Sequence, residues 1–249
     1  MIEQRFRGPR QRRARPRAVR SAGLGAALAA LLVVGCGATA SSAPEVGGSA
    51  APTGLIEAAG RGDATVVREL LEGGAPVDAR DARGATALVR AAYGNHLEAA
   101  GLLVAAGADV NLADHTQQSA YLIATSEVGD DPRLLELTLN AEADLDAKDS
   151  FNGTGLIRAA ERAHVRIVER LLRAGIDRDH INRLGFTALH EAVVFGEGGP
   201  ADQATVAALV AGGADLRIPD GRGTTALAHA EQRGQREVAA ILRAAGATR

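Results

Sequence analysis

The sequence predicts an all-α fold: a solenoid of stacked helix-turn-helix units joined by short turns. Three observations predict it. Apolar anchors recur at Leu55, Leu88, Tyr121, Leu156, Leu189 and Leu227, at spacings of 33, 33, 35, 33 and 38 residues, and a repeat period of roughly 20–50 residues marks a stacked array. Most copies hold a small, alanine-rich segment followed by a leucine-rich one that a glycine closes. Rings are scarce, with aromatics at 2% of 249 residues and no tryptophan, which suits thin stacked helix pairs better than one thick core.

Taken in order, residues 1–35 read as an export signal. The first 20 residues carry eight arginines and one glutamate, and residues 21–35 (SAGLGAALAALLVVG) are small and apolar. A charged start followed by a short apolar run is a secretory signal, and the run is shorter than the roughly 20 residues of a membrane span. Val33-Val34-Gly35-Cys36, which holds the only cysteine of the chain, resembles the lipobox of bacterial lipoproteins. That resemblance implies cleavage before Cys36 and acylation of its thiol. Two or more acyl chains hold a protein stably at a membrane, whereas one holds it marginally. A plain signal peptide, or an uncleaved anchor with an incidental cysteine, is the alternative. Residues 36–53 are expected to form a flexible linker of Gly, Ala, Ser and Pro with one charge, about 20–25 Å long root-mean-square.

Residues 54–249 hold the array, read as about six repeats with the first and last as caps. Repeat one (GLIEAAGRGDATVVRELLEGGAPVD) lacks a leading turn, as an N-terminal cap would. Repeat two, residues 81–111, shows the pattern best: DARGATALVRAAYGNHLEAAGLLVAAGADVN. Thr86, Thr187 and Thr225 are placed to cap first helices. Alanine pairs such as Ala91-Ala92 allow close helix approach, and Leu70-Leu71, Leu102-Leu103 and Leu171-Leu172 bury the second helix. Gly74, Gly107, Gly175, Gly213 and Gly246 end it, since a left-handed C-cap suits glycine. Repeat three diverges. Gln117 and Glu142 stand where glycine is usual, and an added Asp130-Asp131-Pro132 reads as an N-cap followed by Pro at the first helical position. Repeat five has about five extra residues around Glu197-Gly198-Gly199-Pro200. Both insertions are expected to be loops between the two helices. No unit can bury its apolar face alone, so the copies must stack.

These repeats resemble ankyrin repeats over residues 54–247, with Ala or Gly in place of the proline of the T-P-L position. The resemblance implies an ankyrin-repeat solenoid. It also implies structural roles for His96, His164 and His190, and contact with partners through the inter-repeat turns and the exposed edges of the first helices.

The residues carry little chemistry of their own. Of 28 basic residues eight lie in the first 20, so residues 36–249 keep 20 basic against 29 acidic residues. That balance argues against a nucleic-acid partner, which needs clustered cations. His115, His180 and His229 are scattered, and no histidine pair has the spacing of a helical metal site. No nucleophile elbow or phosphate loop occurs. Asp78, Asp109, Asp144, Asp177 and Asp215 recur in register, which points to a turn role. Asn152-Gly153-Thr154 reads as a turn. We therefore expect no catalysis, no metal and no cofactor. Tyr121 replaces a core leucine. Tyr93, Phe151, Phe186 and Phe195 fall on turns or first-helix edges, where large rings favour binding; packing of each ring on its own turn is the alternative. The expected function is protein–protein interaction by a monomeric scaffold, lipid-anchored on the extracytoplasmic side of the cell membrane. A small molecule or peptide bound in the concave groove is the runner-up.

Overall fold

The computed structural model describes residues 52–248. Among them, twelve helices follow one another in six pairs. The pairs are α1 (Pro52–Arg61) with α2 (Ala64–Glu72), α3 (Ala87–Tyr93) with α4 (Leu97–Ala105), and α5 (Ala120–Ser126) with α6 (Arg133–Asn140). They continue as α7 (Gly155–Glu161) with α8 (Val165–Ala174), α9 (Ala188–Val194) with α10 (Pro200–Ala211), and α11 (Ala226–Gln232) with α12 (Arg236–Ala244). No strand occurs among the described residues; two isolated bridges, Lys148–Thr154 and Pro219–Thr225, close turns. The all-α solenoid is thus the fold.

Each pair packs on the next. The odd-numbered helices form one continuous layer and the even-numbered helices a second, which is thinnest between α6 and α8. The anchors Leu55, Leu88, Tyr121, Leu156, Leu189 and Leu227 are all buried in the seam. Thr86, Ser119, Thr187 and Thr225 accept the N–H of Val89, Leu122, His190 and Ala228, satisfying otherwise orphaned donors at the starts of α3, α5, α9 and α11; Thr154 holds the same position before α7 without such a bond. The closing Gly175 has φ 86°. In repeat three Glu142 takes the same left-handed backbone at φ 60°, as Gln117 does at 62°, so the turn geometry persists without glycine at some cost in strain.

Three boundaries differ from the sequence reading. α1 begins at Pro52, where proline suits a helix start. Pro132 precedes the first residue of α6 instead of being that residue, and Asp131 accepts the N–H of Arg133 at 3.1 Å. The insertion of repeat five is only partly loop: Pro200 opens α10, extending it to 12 residues, and Asp202 accepts the N–H groups of Glu197 and Gly199 at 2.9 and 3.0 Å. The extra residues lengthen a helix because proline at its first position costs no hydrogen bond. Asp130 turns outward from its own repeat and accepts the N–H of Ile167, in the first turn of α8, at 3.1 Å.

Candidate binding surface

Between successive pairs the chain makes a turn that projects from the end of the first-helix layer. Its geometry is set by one side chain per repeat. Oδ1 of Asp81 accepts the N–H of Arg83 and Ala85 at 2.7 and 3.0 Å. Asp114, Asp149, Asn182 and Asp220 do the same for the residues two and four positions on. The remaining atom of the side chain faces the helix residue nine positions later in four of the five. Asp81 receives Arg90 Nε at 3.0 Å and Asp149 receives Arg158 Nη1 at 2.7 Å. His229 Nε2 stands 2.8 Å from Asp220. Repeat five inverts the chemistry: Asn182 Nδ2 donates to Glu191 at 2.5 Å.

The electrostatics follow. The Arg90 guanidinium holds the Asp81 carboxyl below its ordinary value. Burial alone would raise Asp220, but the Thr224 N–H, His229 and the Arg222 N–H together bring it down to about 2. Glu191 has no cation beside it to offset its burial, which pushes it up to about 7, with Asp149 and Glu161 adding repulsion and Asn182 opposing. The acidic members of the turns are therefore turned inward and engaged, and the side chains one and two positions after each stand out. In order along the array those outward pairs are Ala82-Arg83, His115-Thr116, Ser150-Phe151, Arg183-Leu184 and Gly221-Arg222. Adjacent turns are tied by the His115 N–H to Arg83 O and the Arg183 N–H to Phe151 O, both at 2.9 Å.

Of the four rings expected to meet a partner, the structure brings two together. Phe186 and Phe195 meet edge-on with centroids 6.4 Å apart, and His190 and His229 join them at 5.8–6.2 Å. Phe186 itself is half-buried in this cluster, so it supports its neighbours more than it offers surface. Phe195 is 51% exposed. Phe151, 60% exposed, stands apart on the turn of repeat four. Tyr93 ends α3, its hydroxyl 3.4 Å from Asp114. It borders an open depression of about 450 Å³ with Arg83, Arg90, His115 and Thr116. Sequence reasoning missed Ile181 and Leu184, exposed beside Phe151. It also missed the turn side chains that precede the Thr or Ser at the N-cap position of each following helix by five positions. That spacing is visible in the sequence as Asp81/Thr86, Asp114/Ser119, Asp149/Thr154, Asn182/Thr187 and Asp220/Thr225.

His96, His164 and His190 tie neighbouring repeats together. His96 Nε2 lies 3.2 Å from Gly60 O and His164 Nδ1 3.3 Å from Thr125 O. His190 caps its own helix and reaches Thr224 O at 3.3 Å, and burial lowers its pKa. The second aspartate row also does what register suggested: Asp109 N–H donates to Asp78, and Asp215 N–H to Asp179. Cys36 lies outside the described residues.

A family model of ankyrin repeats in three copies matches residues 17–114 and 122–220. The ankyrin repeat protein YahD of Escherichia coli K12 is 37% identical over 197 residues, which are 79% of this chain and 97% of YahD. The crystal structure of an ankyrin repeat domain from Acinetobacter baumannii superposes with a TM-score of 0.74 at 41% identity, covering 78% of this chain and 98% of that one. A predatory endopeptidase from Bdellovibrio bacteriovorus has been solved in complex with an immunity protein. One chain of that complex matches with a TM-score of 0.65 at 27% identity, over 77% of this chain and 97% of its own.

Proposed function

The chain belongs to the ankyrin-repeat family, and from that membership we propose that its folded part is a non-catalytic protein-binding scaffold. The observation that carries the reading is the placement of its uncovered apolar side chains. Among the described residues the exposed large hydrophobics are Tyr93, Phe151, Ile181, Leu184 and Phe195. All five sit on the turns or at the ends of first helices, and none on the second-helix side. Rings gathered on one face of an otherwise polar surface mark a place of contact. The Bdellovibrio complex supports it by analogy, since a chain of this fold occurs there in an assembly of two proteins.

The scaffold is tethered, in this proposal, by lipid on Cys36, with residues 37–51 as the spacer and the repeats facing the extracytoplasmic side. The Arg-rich start, the short apolar run and the single cysteine support this. Crosslinking the full chain in membranes, followed by titration of the captured protein, tests the scaffold. Phe151→Ala and Phe195→Ala should each weaken binding about 30-fold, as truncation of an interface anchor does. Arg166→Ala and Glu169→Ala, on α8, should leave it unchanged. Loss of binding in the α8 variants alone would place the interface elsewhere.

A further inference from the structure

At the tips of the turns the charge is one-sided, whereas the acids of the same connections, the row of Asp78, Asp109, Asp144, Asp177 and Asp215 with Asp146 and Asp179, precede the tips. The five turns, residues 79–85, 113–118, 147–153, 180–186 and 218–224, contain four acidic residues: Asp81, Asp114, Asp149 and Asp220. Each spends its carboxylate on the N–H groups of its own turn. The cations of the same turns, Arg80, Arg83, Lys148, Arg183 and Arg222, are all exposed. Among the described residues the side chains of Arg83, Lys148 and Arg222 meet no hydrogen-bond or ion-pair partner. The body behind them is acidic, with 29 acidic and 20 basic residues from position 36 on. A cationic ridge thus runs along a negative protein. Phe151 and Leu184 interrupt it on two adjacent turns that the Arg183–Phe151 backbone bond holds together.

We propose that this ridge binds an extended acidic peptide segment with apolar side chains, the cations meeting its carboxylates and the Phe151–Leu184 pair seating its apolar residues. This rests on the scaffold reading above and adds the chemistry of the partner. Charge complementarity selects the occupant, because opposed potentials steer encounter and like charges reject wrong partners. The ridge adjoins the Phe186–Phe195–His190–His229 cluster, since Phe186 lies on the same turn as Arg183 and Leu184. The spacing sets a pattern. Packed helices lie about 8–10 Å apart and an extended chain advances about 3.3 Å per residue, so successive turns meet every third partner residue, and five turns span about 12.

The test pans a displayed library of random peptides of about 12 residues against the full chain, then titrates the winners by fluorescence anisotropy. Enriched peptides should be acidic with apolar residues between the acids. Lys148→Glu combined with Arg222→Glu should weaken them at least tenfold at low salt and much less at high salt. Phe151→Ala with Leu184→Ala should weaken them at least tenfold at either salt. Those side chains are exposed, so melting temperatures should hold. Neutral or basic winners that still need Phe151 and Phe195 would overturn the acidic partner and keep the scaffold. Winners that are lost only on Arg166→Ala or Glu169→Ala would overturn the scaffold face itself. No enrichment refutes a peptide ligand for the ridge. Binding to phosphatidylglycerol vesicles over phosphatidylcholine vesicles, abolished by the double charge reversal, would assign the ridge to lipid instead.

Discussion

Replacing Glu191 by glutamine should stabilise the protein above pH 4.5, and fully so only above about pH 7. Glu191 is 3% exposed and occupies the place that Arg90 and Arg158 hold in repeats two and four, but its turn partner is the neutral Asn182. Its pKa rises from the ordinary 4.5 to about 7. The folded state therefore holds a proton that the unfolded chain has already released. The penalty is absent below pH 4.5, grows as pH rises toward about 7, and is complete above it. A rise of that size corresponds to about 3 kcal/mol. Glutamine keeps an oxygen for Asn182 Nδ2 and removes the charge. At pH 8 we expect Glu191→Gln to gain about 1–3 kcal/mol, at about 2–4 °C in Tm per kcal/mol for a domain of this size, and at pH 4 to match the wild type. Thermal and urea unfolding at both values give the comparison. The buried carboxylates with depressed pKa values are common to both proteins, so they cancel. Asn182→Asp combined with Glu191→Arg, which rebuilds the pair of repeats two and four, should also abolish the difference between pH 4 and pH 8 due to this site. If Glu191→Gln gains nothing at pH 8, or gains as much at pH 4, burial is not what governs this carboxyl.

Asp130→Ala should remove the acceptor at the start of α8 and cost about 1 kcal/mol, read as a lower urea midpoint; an unchanged midpoint would mean that the bond to Ile167 contributes nothing. Asp220, held at about 2, contributes stability that is present above pH 4 and lost as pH falls toward 2. Asp220→Asn keeps the turn acceptor, as Asn182 shows, and should flatten that acid limb while costing about 1 kcal/mol at pH 7 through the lost His229 pair. An acid limb as steep as in the wild type would show that other carboxylates produce it. Intact mass of the membrane-derived protein should show an N-terminus at Cys36 bearing acyl chains; an unmodified Cys36 removes the tether from the proposal.

Much of the fold was legible because each repeat writes the same local instructions. A capping Thr or Ser, buried Leu, Ala pairs and a closing Gly are short-range signals, and their recurrence turned weak evidence into a register. The boundaries that moved, at Pro52, Pro132 and Pro200, are helix starts, where proline and the surrounding cap residues fit more than one position. The proposed binding face was half legible. Exposed rings at Tyr93, Phe151 and Phe195 followed from register alone. The half-burial of Phe186 depended on His229, which is 43 residues away in sequence and adjacent only after two repeats stack. The inward turning of Asp81, Asp149 and Asp220 was also hidden, because a carboxylate in a turn reads as surface charge until its hydrogen bonds are seen. Without that step the ridge looks electrically mixed.

The seam between repeats three and four has a mechanical consequence. There the second-helix layer is thinnest, and among the described residues no backbone bond joins the turn of Thr116 to that of Ser150, in contrast to the rungs at His115 and Arg183; the turns of Leu184 and Gly221 also lack such a rung, but there α10 packs on both α8 and α12. The first-helix layer continues across the seam, α5 on α7, while the second-helix side is linked by Arg170 reaching Glu136 and by Asp130 accepting the Ile167 N–H. Bending should concentrate where fewest packed contacts resist it, which in the second-helix layer is this seam. The Tyr93 depression lies on one side of it and the Phe186–Phe195 cluster on the other. A ligand spanning both would fix the curvature there, and a ligand confined to one side would leave it free.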